Sequence, residues 1–202
     1  MNKYITEFIG ALFLVMGAIF AGAVGASLAL MVMVYAGGHI SGAHYNPAVT
    51  LAVWMRGKIE LKDAVMYWIF QLAGAVAAAL IAVYIFKVEG TGNCAIADDG
   101  TTKAIGAELL GTFALAYVVL NVATAKGTSG NSFYGLAIGA TVLLMATMLG
   151  KFSGGAYNPA VAVGLCIQKS FCWDNILIYV FSTLGGGAMA ALAFSLNNPD
   201  DK

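Results

Sequence analysis

Charged residues are scarce in this chain of 202 residues: ten Lys and Arg stand against ten Asp and Glu, so the net charge is zero. The charged fraction is 10%, whereas soluble domains carry roughly 25%. An ordinary soluble enzyme and a disordered chain are therefore excluded. Nucleic acid is excluded as a partner, because phosphate binding requires a basic surface.

The chain also has few residues that commonly hold metals or form disulfides. Cys94, Cys166 and Cys172 form no CxxC pair and no evident disulfide framework, so each is expected to be a small packing residue. His39 and His44 have no cysteine or carboxylate close in sequence. The sequence therefore predicts neither a metal site nor a cofactor, and assigns His44 a backbone role and His39 a buried or bracing role.

Hydrophobic residues make up 60% of the chain, which is enough for about six transmembrane helices at roughly 20 residues each. Six long apolar stretches are bounded by charged or turn-forming residues: 4–23, 26–43, 63–86, 104–125, 133–150 and 175–196. The longest connection, around 87–103, has the composition of an exposed loop. The pattern predicts a membrane protein without a large soluble domain.

The first stretch resembles a secretory signal, because an apolar run after Met-Asn-Lys ends in the small residues Ala21-Gly22-Ala23. The internal repeat described next gives this stretch a partner in the second half, which favours a retained helix. With both termini in the cytoplasm, six Lys and Arg lie inside and four outside, which agrees modestly with the positive-inside tendency.

An internal repeat divides the chain into two related halves. The run from Gly38 to Val49 (GHISGAHYNPAV) recurs from Gly150 to Val161 (GKFSGGAYNPAV), and Glu7-Phe-Ile-Gly recurs as Glu108-Leu-Leu-Gly. Each half has three apolar stretches, so the second half enters the membrane from the opposite side. An inverted repeat of this kind tends to place its functional site at mid-membrane between the halves.

Each Asn-Pro-Ala-Val copy is followed by about ten helix-compatible residues, too few to span the hydrocarbon. Pro47 and Pro159 suit the first turn of a helix, and Asn46 and Asn158 suit its N-cap. We therefore expect two half-helices that enter from opposite faces and meet at their N-termini. Their positive dipole ends and amide donors would oppose cations at the centre.

On these residues the chain resembles the major intrinsic proteins, the family of aquaporins and glycerol facilitators. The resemblance covers nearly the whole chain and includes Gln71-Leu-Ala-Gly in the third stretch. It implies an all-α membrane protein, a right-handed bundle of six transmembrane helices and two re-entrant half-helices. The chain would form a single channel domain over 1–202, with repeats at about 1–90 and 104–196, and would usually assemble as a homotetramer in the lipid bilayer.

The resemblance also implies which residues line the pore. The two motifs, Asn46-Pro47-Ala48 and Asn158-Pro159-Ala160, would meet at its centre. The carbonyl groups of two loops would form a ladder of hydrogen-bond acceptors: Gly42, Ala43, His44, Gly154, Gly155 and Ala156. Glu7 and Glu108, with Gln71, would accept or donate hydrogen bonds that brace those loops, and no chain of titratable groups suggests a proton relay.

The narrow selectivity filter departs from the family pattern, because Val161 follows the second motif where these channels usually have Arg. The other filter positions would be Ala26, Ala146 and Gly155, so all four are small or apolar. This predicts a wide outer filter that admits solutes larger than water. Alternatively, the side chain of Met145, Met148 or Lys151 fills the space and keeps the filter narrow.

The sequence therefore predicts a passive channel in the cell membrane for water and small uncharged solutes, with glycerol, urea, ammonia and hydrogen peroxide as candidates. No step requires a nucleophile, a metal or an acid–base pair, so an enzyme is not expected. Two alternatives remain at this point. An ion-coupled secondary transporter would need midplane charges beside the helix breaks, and a structural membrane protein would show little flux.

Overall fold

The computed structural model describes residues 1–92, 96 and 100–201, so Cys94 and Lys202 lie outside the described residues. The described chain is helical and contains no strand. Its α-helices are α1 (Asn2–Ser41), α2 (Pro47–Met55), α3 (Leu61–Leu80), α4 (Thr101–Val119), α5 (Tyr134–Ser153), α6 (Pro159–Ile167) and α7 (Ile176–Asn197). α2 and α6 have nine residues each and are the two half-helices predicted from the repeated motifs.

α1 has 40 residues but is broken near its middle, at Gly22 and the residue before it. Gly22 has φ 58° and ψ −142°, a conformation that glycine adopts at far lower cost than other residues. The two arms of α1 lie antiparallel. A Cβ on Gly17 would be 2.5 Å from the carbonyl oxygen of Gly25, and one on Gly37 would be 2.6 Å from Cγ2 of Thr6. The break therefore turns one continuous helix into two membrane crossings.

Five described helical segments are long and apolar enough to cross a membrane, and α1 supplies two crossings because of its break. The six predicted stretches are thus confirmed, with the first two joined at Gly22 without an intervening loop. π-Helical turns extend α3 over Ile81–Ile85 and α4 over Leu120–Thr124. α5 continues to Ser153, past the predicted end at 150, because the left-handed Gly154 (φ 88°) is what terminates it.

Glycines at repeat-related positions let helices approach closely. A Cβ on Gly74 in α3 would lie 3.2 Å from the Cβ of Ala11, and one on Gly186 in α7 would lie 2.9 Å from the backbone nitrogen of Phe113. Small residues at such contacts are typical of membrane helix packing, where close van der Waals contact replaces the hydrophobic effect. These two glycines therefore allow the helix backbones to approach closely in both halves.

Polar contacts define one end of the bundle, here called the termini face, which comprises residues 1–4, 56–63, 124–131 and 197–201. Lys3 Nζ contacts Asp63 at 2.7 Å, and Arg56 contacts Asp201 at 2.7 Å. The backbone N–H of Lys126 also donates to Asp201, at 2.8 Å. The chain termini and the α4–α5 connection therefore form one connected surface.

The other end, the opposite face, comprises residues 20–25, 86–92 and 167–175. The rings of Phe20 and Phe86 are 5.3 Å apart, and the N–H of Gly90 donates to the carbonyl of Gln168 at 2.7 Å. Glu89 contacts Lys169 at 2.9 Å and raises the pKa of that amine. These contacts hold the first part of the 87–103 connection against the end of α6.

Two of the cysteines lie within the described residues. Cys166 is buried in α6 and free, as expected of a packing residue. Cys172 on the opposite face is disulfide-bonded, so the expectation that it only packs is wrong. Disulfide pairing depends on which residues meet in space, which spacing along the chain does not specify.

Candidate functional site: a central pore

The two half-helices begin with the same capped turn. Asn46 has extended backbone angles, and its side-chain oxygen accepts a hydrogen bond from the N–H of Ala48 at 2.9 Å. Asn158 accepts from Ala160 at 2.9 Å in the same way. A proline follows each asparagine at the first helical position, where its missing N–H costs nothing.

The side-chain amides of the two asparagines link the two halves of the chain to each other. Asn46 Nδ2 donates to the carbonyl of Tyr157 at 2.9 Å, and Asn158 Nδ2 donates to the carbonyl of Tyr45 at 2.9 Å. Each motif is therefore held by the loop of the other half. Since each amide uses one N–H in this way, a second N–H on each remains to face the cavity that both residues line.

The carboxylate of Glu7 holds the loop that precedes α2. Its Oε1 accepts hydrogen bonds from Ser41 Oγ at 2.6 Å and from the N–H of His44 at 3.0 Å. Its Oε2 accepts from the N–H of Tyr45 and from Gln71 Nε2, both at 2.7 Å. These are the contacts expected of a carboxylate that fixes irregular backbone at membrane depth.

Glu108 makes the equivalent contacts in the second half. It accepts from Ser153 Oγ at 2.6 Å, from the N–H of Ala156 at 2.9 Å and from the N–H of Tyr157 at 2.7 Å. No glutamine reaches it, because Thr183 occupies the position related to Gln71. The bracing is thus repeated, with one fewer bond.

Two tyrosines fill the space behind the loops. Tyr45 Oη donates to the carbonyl of Met33 at 2.9 Å, and Tyr157 Oη donates to that of Met145 at 3.0 Å. The ring of Tyr45 lies against Gly10 in α1, and the ring of Tyr157 lies against Gly111 in α4. Both contacts are so close that no Cβ would fit at either glycine. The role of these glycines was not predicted, although both belong to the repeated Glu-x-x-Gly run.

A central cavity runs between the half-helices and contains both Asn46 and Asn158. Its volume of about 90 Å³ is several times the ~10–15 Å³ that one buried water needs. All four predicted filter positions line it: Ala26, Ala146, Gly155 and Val161. Much of the remaining wall is aliphatic and was not predicted: Leu14, Ala18, Leu30, Val49, Leu115, Val119, Ile138, Val142 and Leu165.

The predicted carbonyl ladder lies largely in the same place. Five of its six residues line the central cavity: Ala43, His44, Gly154, Gly155 and Ala156. Gly42 instead lines the two cavities at the termini face. Within the described part of the protein, none of these six carbonyl oxygens accepts a hydrogen bond, so they are available to a permeant.

The side chains that were considered as a substitute filter lie elsewhere. Met148 is 54% exposed on the outside of the bundle, and Lys151 Nζ lies 5.0 Å above the ring of Phe152. The described residues that line the central cavity do not include Met145, Met148 or Lys151. The space beside Val161 is therefore not refilled by these residues.

The two histidines have different positions. His44 is buried and lines the central cavity, and its Nδ1 lies 3.1 Å from Thr50 Oγ1. His39 is exposed near the end of α1, so the expected buried or bracing role is wrong.

The far ends of the half-helices are also fixed. Arg56 caps α2, its guanidinium lies 4.5 Å from the ring of Phe194, and Asp201 binds it at 2.7 Å. The N–H of Lys126 and then the nearby Arg56 hold the pKa of Asp201 below its usual range. Gln168 caps α6 in the same position on the opposite face.

Comparison with known proteins agrees with this geometry. The family model described as "Major intrinsic protein" matches residues 1–194. The chain belongs to the major intrinsic protein family.

Similar members of the major intrinsic protein family include plant aquaporins. Aquaporin TIP1-1 of Arabidopsis thaliana is 35% identical over 187 residues, which cover 87% of this chain and 70% of that protein. Aquaporin NIP1-1 of Zea mays is 36% identical over 174 residues, which cover 84% of this chain and 60% of that protein. The chain therefore spans less than two thirds of the length of this second relative.

The solved structure of an aquaglyceroporin shares the fold. The X-ray structure of the aquaglyceroporin from Plasmodium falciparum has a TM-score of 0.77 and 21% sequence identity, and the match covers 96% of this chain and 94% of that one. The family consists of channels, so this major intrinsic protein is a passive membrane channel for water and small solutes and is not an enzyme.

Proposed function

We propose that this channel conducts neutral solutes larger than water, in addition to water, through a wide and apolar outer filter. The supporting observation is that Ala26, Ala146, Gly155 and Val161 all line the cavity that contains both asparagines. None of the four carries a charge or a side-chain donor. Cation exclusion is then left to the positive ends of α2 and α6 and to the asparagine amides at the centre.

A permeant would donate hydrogen bonds to the unpaired loop carbonyls one after another, while the aliphatic wall limits how tightly the permeant is held. Such weak, repeated binding favours fast passage. Glycerol, urea, ammonia and hydrogen peroxide are the candidates. The two carboxylates nearest the helix breaks, Glu7 and Glu108, already accept hydrogen bonds from the loops. Nothing in the described residues therefore favours an ion-coupled transporter.

Flux measurements on proteoliposomes test this proposal. Purified protein is challenged with osmotic gradients of water, urea and glycerol and with hydrogen peroxide, without any ion gradient. Val161→Arg should reduce flux of the larger solutes while water flow persists or falls less, and Val161→Leu serves as an uncharged control. Equal solute flux in the wild type and in Val161→Arg contradicts the wide filter, and no flux at all favours a structural protein.

We further propose that both termini are cytoplasmic and that the protein lies in the cell membrane. Five described Lys and Arg lie at the termini face and four at the opposite end, with Lys202 outside the described residues. Cys172 is disulfide-bonded on the opposite face, and disulfides persist in oxidising compartments outside the cytosol. A C-terminal fluorescent-protein fusion should fluoresce, whereas a phosphatase fusion there should be inactive.

A homotetramer is the assembly that the family resemblance suggests. Each protomer would keep its own pore, because the central cavity is lined entirely by residues of one chain. Light scattering of the detergent-solubilised protein tests the assembly. A mass corresponding to one chain would contradict it.

A further inference from the structure

The central cavity meets the termini face through shared residues. Two inner cavities of about 650 and 640 Å³ lie at that face, against about 90 Å³ in the central cavity. Ile138 lines both the central cavity and the first inner cavity, while His44 and Val119 line both the central cavity and the second. These three residues, here called the neck, therefore stand between the small central cavity and the two larger inner cavities.

The inverted repeat provides an internal comparison for the neck. The positions related to Ile138, Val119 and His44 in the other half are Ala26, Ala18 and Ala156, which line the same cavity on its outer side. All three outer residues are alanines, and all three neck residues are larger. The pore thus has equivalent positions on both sides of the asparagines, with the bulk placed only on the inner side.

A fourth pair follows the same rule. Val34 lines the first inner cavity, and its repeat partner Ala146 lies in the outer filter. Val34, Val119 and Ile138 are at most 6% exposed, whereas Ala26 and Ala146 are partly exposed. The inner side is therefore the more tightly packed one.

The neck is also stiff. Two of the three neck residues, Val119 and Ile138, are β-branched residues within helices, as is Val34 of the first inner cavity, and χ1 of such residues is largely restricted to one rotamer. A solute that meets them cannot be admitted by simple rotation of a side chain. Their fixed methyl groups select on cross-section rather than on hydrogen bonding.

We infer that size selection in this channel takes place at the neck formed by His44, Val119 and Ile138, on the inner side of the asparagines, and that it passes neutral solutes of small cross-section in preference to wider ones. The inference rests on the proposed function, since it specifies which solutes the same pore admits. The outer filter would then not limit the size of the permeant.

Exchanging the two repeat-related residues tests this inference. Water and glycerol permeabilities are measured by stopped-flow light scattering on proteoliposomes that contain equal amounts of each variant. Ile138→Ala should raise the glycerol-to-water ratio about fivefold, equivalent to ~1 kcal/mol of barrier. The matched variant Ala26→Ile should lower that ratio by about twofold at most, because it adds a second barrier similar to the existing one.

The opposite pattern overturns the inference: an unchanged ratio in Ile138→Ala together with a large fall in Ala26→Ile places selection at the outer filter. Val119→Ala provides a second test if Ile138→Ala does not fold, as judged by its water permeability. The wild-type measurement is separate. If the wild type passes only water, the proposed solute range fails, whereas admission of glycerol by Ile138→Ala still supports the neck.

Discussion

Removing the Glu108 carboxylate tests how strongly the pore loops depend on their bracing. In the structure Glu108 Oε1 accepts hydrogen bonds from Ser153 Oγ and the N–H of Ala156, and Oε2 accepts one from the N–H of Tyr157. Glu108→Ala leaves two buried backbone N–H groups without an acceptor. At about 1–3 kcal/mol for each buried group left unpaired, the free energy of unfolding should fall by roughly 2–6 kcal/mol.

Glu108→Gln is the graded control, because it replaces only one of the two oxygens by an amide nitrogen. The N–H of Tyr157 then faces a donor, while Ser153 and Ala156 keep their acceptor. The loss should be about 1.5–3 kcal/mol, the value of one hydrogen bond to a charged group. Glu7→Ala should cost more than Glu108→Ala, since Gln71 also loses one of its two hydrogen-bond acceptors.

Thermal unfolding of the detergent-solubilised protein measures these effects. At roughly 2–4 °C for each kcal/mol in a chain of this size, Glu108→Ala should lower Tm by about 10 °C. The loop carbonyls should also lose their alignment, so the water permeability per protein should fall. A Glu108→Ala variant with the wild-type Tm and permeability would refute the view that this carboxylate holds the loop.

Two further predictions concern the helix break and the chain end. Gly22→Ala forces a non-glycine residue into φ 58°, ψ −142° and should destabilise the protein by about 1–3 kcal/mol. The control Gly106→Ala, in open space on α4, should be neutral or slightly stabilising. Equal Tm values for the two variants would contradict this prediction. Because the pKa of Asp201 is lowered, its contacts with Arg56 and Lys126 stabilise at neutral pH and are lost only as pH falls through that depressed value. The protection of residues 124–131 against hydrogen exchange, taken relative to the intrinsic exchange rate at each pH, should therefore be unchanged from pH 7 to 5 and should fall in Asp201→Asn at pH 7. Wild-type protection in that variant would argue against the contact.

The sequence predicts the positions that depend on a repeated motif, and the reason is local chemistry. Asn46 and Asn158 cap helices because their side chains suit that role, and Pro47 and Pro159 fix the first turn. The family resemblance adds four filter residues, and all four line one cavity. Their roles in selection remain predictions that flux measurements must test.

Other features could not be predicted because they depend on how helices rotate and meet. Leu165 and Val142 line the cavity, yet an all-apolar helix gives no pattern that separates its pore face from its lipid face. Gly10 and Gly111 matter only because a tyrosine ring from another segment lies against each. The disulfide at Cys172 likewise depends on which segments meet in space.

The reciprocal bonds between Asn46 and Tyr157, and between Asn158 and Tyr45, bear on how the protein is made. During synthesis the first half reaches the membrane before the second exists, and its asparagine amide then lacks the acceptor that orients it. The centre of the conducting pathway therefore cannot be completed until Tyr157 and Asn158 are in place, and a nascent first half has no complete route for ions or protons to leak through.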